Sequence, residues 1–184
     1  MQRVEGKKSR AGVSGLLAAA LCLACLGGCG RVQLGRSHRS VDPAWVLENT
    51  RRLAANELWK EYNGGDQVYI EYGCASATML DYRHRGRPWA IRCSIFDQST
   101  ANGARALFAY YREGIENEVR GIEPIGEGTY MWKSPLMRSW IVGFRKGKYF
   151  VEVSLTEESD ASVPLTDSNR QALLDFARRL AGTL

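Results

Sequence analysis

Histidine is almost missing from this chain of 184 residues: His38 and His84 are the only two. So few imidazoles leave little to act as a base beside a serine or cysteine nucleophile, and neither G-x-S-x-G nor H-E-x-x-H occurs. Cysteine is scarce once the N-terminus is set aside. Cys22, Cys25 and Cys29 crowd together near the start, which leaves Cys74 and Cys93 for the rest, too few for a zinc set or a disulfide scaffold. No phosphate loop is present either. Asn63-Gly64-Gly65-Asp66 has no lysine and follows a helical stretch instead of preceding one. The one long apolar run, from Ala11 to Leu26, is shorter than the ~20 residues needed to cross a bilayer and ends in Gly27-Gly28. No cofactor or metal site is expected.

What is present at the start has the layout of an export signal. Arg3, Lys7, Lys8 and Arg10 stand against a single Glu5 and are followed by the apolar run. Leu26-Gly27-Gly28-Cys29 resembles the lipobox of bacterial lipoproteins, with leucine at −3 and small residues at −2 and −1. That resemblance implies that residues 1–28 are removed and that Cys29 becomes an N-acylated first residue linked to diacylglycerol. Cys22 and Cys25, with Leu21 and Leu23 in the wrong places, fit the pattern less well. Gly30 and Arg31 stand where an aspartate would signal inner-membrane retention, so the likeness implies an outer-membrane lipoprotein facing the periplasm. Several acyl chains at ~0.8 kcal/mol per buried methylene would make such an anchor close to permanent. The formal charge of +5 falls to +2 without the four basic residues and one acidic residue of the leader. No field for nucleic-acid binding remains.

Residues 29–41 read as the acylated cysteine and a flexible basic tether, and 42–184 as a single α+β domain. Asp42-Pro43 predicts the start of a helix that runs to about Tyr62, where Asn63-Gly64-Gly65 stops it and launches a strand. A hairpin then follows. With Arg85-Gly86 as its loop, Tyr82 faces Trp89, Leu80 faces Ile91, Thr78 faces Cys93, and Pro88 sits opposite Arg83. This register puts Cys74 and Cys93 on one face roughly 13 Å apart, which predicts two buried free thiols. Ser99 or Thr100 caps a helix ending near Gly114. Strands are expected near 128–133, 137–145 and 148–156, with a Lys146-Gly147 loop that pairs Phe144 with Tyr149 and Val142 with Val151. A final helix runs from Thr166 or Asp167 to Leu180. The predicted order is α-β-β-α-β-β-β-α, a mostly antiparallel five-stranded sheet covered by helices. Its broad arrangement is similar to the PsbP-like α/β/α sandwiches.

The block ELWKEYNGGDQVYIEYG, residues 57–73, resembles a family of bacterial exported proteins that is a domain of unknown function. Leu58, Asn63, Gly64, Gly65, Tyr69, Tyr72 and Gly73 match, and the likeness continues through IFDQSTANGARALFAYYRE. Asp66, Gln67 and Cys74 depart from it. The resemblance implies an exported single α+β domain and no particular chemistry.

Candidate ligand or surface residues are Asn63 and Asp66 in the glycine turn, and Arg85, Arg87, Lys146 and Lys148 in two basic hairpin tips. Projected toward one edge of the sheet, the tips would meet anionic headgroups or an envelope component. The many tyrosines and tryptophans serve packing or form a ligand platform. Together these features predict a lipid-anchored, non-catalytic binding module of the envelope, whose partner is the membrane through Cys29 and an envelope protein or headgroup. The alternative is an envelope hydrolase using acid chemistry around Asp66, Glu71 and Asp97, with Asp81 nearby.

Overall fold

A computed structural model describes residues 41–158 and 164–184. The leader, Cys29 and the tether up to residue 40 lie outside the described residues; Val41, read as the tether's last residue, is buried in the domain. Six strands form one antiparallel sheet: β1 (Trp45–Ala54), β2 (Ser76–His84), β3 (Trp89–Asp97), β4 (Thr129–Ser134), β5 (Ser139–Lys146) and β6 (Tyr149–Glu157), in the spatial order β1-β2-β3-β6-β5-β4. Between β1 and β2 the chain makes a 3-10 turn over Ala55–Glu57 and two short helices, α1 (Trp59–Tyr62) and α2 (Gln67–Glu71). The longer helices are α3 (Ala101–Glu113), between β3 and β4, and α4 (Asp167–Thr183) at the end. The fold is thus α+β, with one strand more than the sequence suggested.

That extra strand replaces the first half of the predicted N-terminal helix. β1 pairs along the whole of β2, which is buried over most of its length and needs its outer edge covered. A β-bulge between Leu47 and Asn49 shifts the phase of β1. Trp45 and Leu47 face α4 before the bulge, whereas Arg51 and Leu53 face the opposite side after it, so no continuous alternation is visible along the segment. The strand expected directly after Asn63-Gly64-Gly65 is likewise corrected: Gln67–Glu71 is helical. Gly73, at φ +89°, ends it with a Schellman pair, Gly73 N–H to the Ile70 carbonyl and Cys74 N–H to that of Tyr69. The strand starts only at Ser76.

Both predicted hairpins form, each displaced by two residues. Tyr82 faces Ile91 and Leu80 faces Cys93, with Arg85–Pro88 as a four-residue loop, so Pro88 lies in the turn and Ala90 stands opposite Arg83. Phe144 faces Val151 and Val142 faces Val153 around Gly147-Lys148. A shift of two keeps every side chain on its expected face, because strand side chains alternate. Thr100 caps α3 by accepting from Gly103 N–H at 3.0 Å, and α4 starts at Thr166, whose N–H donates to Asn169 Oδ1 at 2.7 Å.

The sheet separates two cores. On one face Leu173, Phe176, Ala177 and Leu180 of α4 pack on Val142, Phe144, Val151, Val153 and Leu155, all without solvent exposure. On the other, α1, α2 and α3 pack around Met79, Phe96, Tyr130 and Phe150. Cys93 belongs to the first core and Cys74 to the second, so the two free thiols lie on opposite faces of the sheet, not on the same one. Burial pushes the Cys74 thiol up to about 11 and that of Cys93 higher still. Among the described residues, the strand pairings and both cores all fall within 41–158 and 164–184.

Candidate functional site

The glycine turn of the 57–73 block is a structural joint. Asn63 adopts the left-handed conformation at the end of α1, with its N–H on the Trp59 carbonyl, and Asp66 is buried at the start of α2. The joint lets Leu58 reach full burial and stacks Tyr69 on Phe96 at 4.2 Å. It therefore packs the Phe96–Phe150 end of the sheet's second face.

The two basic tips do not share an edge. β3 runs antiparallel to β6, with Trp89 against Glu157 and Asp97 against Tyr149, so the Arg85–Pro88 turn and the Gly147-Lys148 turn sit at opposite ends of the sheet, roughly 27 Å apart along eight residues. Arg85 donates to the Pro43 carbonyl at 3.0 Å, and the Arg87 guanidinium lies over the Trp89 ring at 5.3 Å. At the far end Lys146 donates to the Ala181 carbonyl near the end of α4, and Lys148 pairs with Asp97 at 2.6 Å. Of the carboxylates of the hydrolase reading, Asp97 and Asp81 already hold partners. Asp97 accepts from Lys148 and from Ser99 N–H, Asp81 accepts from Arg92 at 3.0 Å, and Glu71 is exposed at the end of α2.

A cleft that none of these residues marks lies elsewhere. α3 and the two short helices cover only part of their face of the sheet. Beside the C-terminal end of α3 is a cleft of about 530 Å³, walled by Tyr110, Tyr111, Glu113, Gly114 and Ile115, floored by Tyr130, Trp132, Ile141 and Glu152, and bounded by Met137 from the β4–β5 turn. Its size falls within the usual range for small-molecule sites. Past Met137 it continues into a polar groove of about 360 Å³ over Asp81, Arg83, Arg92, Ser139, Ser154 and Thr156. The cations of that groove are already engaged. Arg83 pairs with Glu48 and Glu158, and Arg92 with Asp81 and Glu61.

The cleft floor depends on a glycine. Tyr130 on β4 faces Gly143 on β5, which in turn faces Glu152 on β6. A Cβ at Gly143 would come within 2.0 Å of Tyr130 Cζ, so the ring lies flat across the bare strand. Its hydroxyl reaches Glu152 and donates across 3.4 Å. Ser94 stands on the other side of Glu152 and accepts from the Tyr62 hydroxyl, also across 3.4 Å. Burial raises the Glu152 carboxyl above the ordinary carboxylate range, and the Tyr130 hydrogen bond only partly offsets it. Burial likewise raises the phenol of Tyr111 to about 12 and that of Tyr130 further, so both are neutral donors at physiological pH.

Two signals in the sequence could have revealed this site: a glycine in mid-strand at 143, and a lone glutamate alternating with Phe150 and Ser154 along β6. No family model matches the chain, and no curated protein matches it in sequence. Among solved structures, the extracellular domain of PknH from Mycobacterium tuberculosis is similar over 79% of this chain and 90% of that one, at 11% identity and a TM-score of 0.48. A likeness of that size identifies neither a family nor an activity.

Proposed function

We propose that this chain is an exported lipoprotein, anchored through Cys29 to the outer membrane and facing the periplasm, whose domain is a non-catalytic binding module. Its ligand seat is the cleft between α3 and the β4–β5 turn. The observation that carries this reading is the cleft itself: four aromatic rings converge on an uncovered stretch of a sheet whose opposite face is closed by α4. Aromatic walls with a mostly apolar lining suit capture of a small, largely apolar molecule or side chain. The anchor rests on the Leu26–Cys29 resemblance. Of the two basic tips, the Arg85–Arg87 turn shares its end of the sheet with Val41, where the proposed tether reaches the domain, and with the exposed Leu136 and Met137. Headgroup contact is therefore assigned to that end and not to Lys146 or Lys148.

Two measurements test the proposal. Cys29→Ser should move the protein from the membrane to the soluble fraction; unchanged partitioning would remove the anchor. For the cleft, the indole N–H resonance of Trp132, assigned by comparison with Trp132→Phe, should shift on titration with small aromatic probes. An inert Trp132 signal across a broad probe set would remove the binding seat.

A further inference from the structure

We infer that the cleft selects an organic cation, a protonated amine carried on a compact apolar body, with Glu152 as the counter-charge at its floor. The inference rests on the reading of the cleft as a ligand seat and names the class of ligand. Two carboxylates, Glu113 and Glu152, line the cleft, and no lysine, arginine or histidine among the described residues does. The contrast with the adjoining groove is informative. There every carboxylate named above has a guanidinium within reach, so that surface is neutralised from within. Glu152 has instead the long hydrogen bond from Tyr130, and around it stand the rings of Tyr62, Tyr69, Tyr111 and Tyr130. None of these neighbours is positive.

A carboxyl set among phenols, at the bottom of an aromatic cleft, bears a desolvation cost that a cationic ligand would offset. The same rings present their negative faces to an ammonium group, an attraction that a neutral or anionic ligand of equal shape lacks. Ile115, Ile141 and Met137 offer contact for the apolar body. An anion would meet two carboxylates and no donor stronger than a phenol.

The test uses the chain from Cys29 onward and three probes of similar shape: 2-phenylethylamine, 2-phenylethanol and 3-phenylpropanoate. Binding is read from the Trp132 indole resonance. The amine should bind at least about tenfold more tightly than the alcohol, and the propanoate should be weakest. Glu152→Gln, nearly isosteric, should bring the amine to within a few-fold of the alcohol while leaving the alcohol unchanged. Glu113→Gln, at the rim, should have a smaller effect. If all three probes bind alike, the cation inference fails while the ligand seat stands. If amine preference survives Glu152→Gln, the assignment to Glu152 is wrong. If no probe binds, both fail.

Discussion

The two faces of this sheet are made by the same six strands and could hardly differ more. Along β6, Val151, Val153 and Leu155 point to α4 and are fully buried, while Phe150, Glu152, Ser154 and Thr156 point the other way. α4 has 17 residues and spreads its apolar stripe over the first face. α3 has 13, and with the two short helices it covers the Phe96–Phe150 end of the second face but not the rows through Glu152, Ser154 and Thr156. A face closed by a long helix serves stability; a face left partly open can carry polar and aromatic groups whose purpose is contact with something else.

The contrast is broken most severely on the closed face. Phe176→Ala should cost about 3–5 kcal/mol in chemical denaturation, because this fully buried ring meets both Trp45 and Tyr82 and its removal leaves a cavity. Next in size is Gly143→Ala. The added methyl must displace the Tyr130 ring, so a loss of about 1–3 kcal/mol is expected, together with loss of probe binding at Trp132. Smaller again, and of opposite sign, is Glu152→Gln at neutral pH. The folded state raises the carboxyl above its unfolded value, so ionisation penalises the folded state above the unfolded pKa and does so fully above the folded one. The variant should therefore melt higher than the parent at pH 7, and the gain should vanish as pH falls below the free carboxylate value. A gain that persisted at acid pH would assign it to packing instead of charge. Smallest is Tyr110→Ala on the cleft wall, half-exposed, which should change stability by no more than about 0.5 kcal/mol yet weaken probe binding. At the surface, Arg85→Glu should lower co-sedimentation of the 29–184 chain with anionic vesicles, whereas Lys146→Glu, at the other end of the sheet, should not.

Much of the architecture was legible because alternation is local. The β2–β3 and β5–β6 hairpins put their apolar residues on the faces that pattern demanded, and a displacement of two in each register cost nothing in that respect. The helices at Ala101 and Asp167 announced themselves by caps and spacing. β1 was not legible, since its bulge at Glu48 breaks the period and its partner is some thirty residues away. α2 was hidden for a related reason: Val68, Tyr69 and Ile70 favour strands by composition, and the stacking of Tyr69 on Phe96 holds them helical. Of the residues singled out by chemistry alone, Asn63 and Asp66 sit at the joint between the two short helices, Lys146 donates to the Ala181 carbonyl and Lys148 pairs with Asp97, whereas Glu152 drew no attention.

The amino-acid sequence alone determined which residues face apart in the β2–β3 and β5–β6 hairpins, where the long helices begin, and the lipobox-like start that places Cys29 at the centre of the anchoring proposal. These follow from short-range rules: alternation, capping and composition. Only the tertiary structure decided that β1 is a strand, that the two basic tips stand at opposite ends, and that Tyr130 crosses Gly143 to meet Glu152. Those features depend on which strand lies beside which, and pairing across a sheet is a contest among distant segments for burial and hydrogen bonds. A glutamate in a strand is unremarkable until a bare glycine and a ring from two strands away are set beside it.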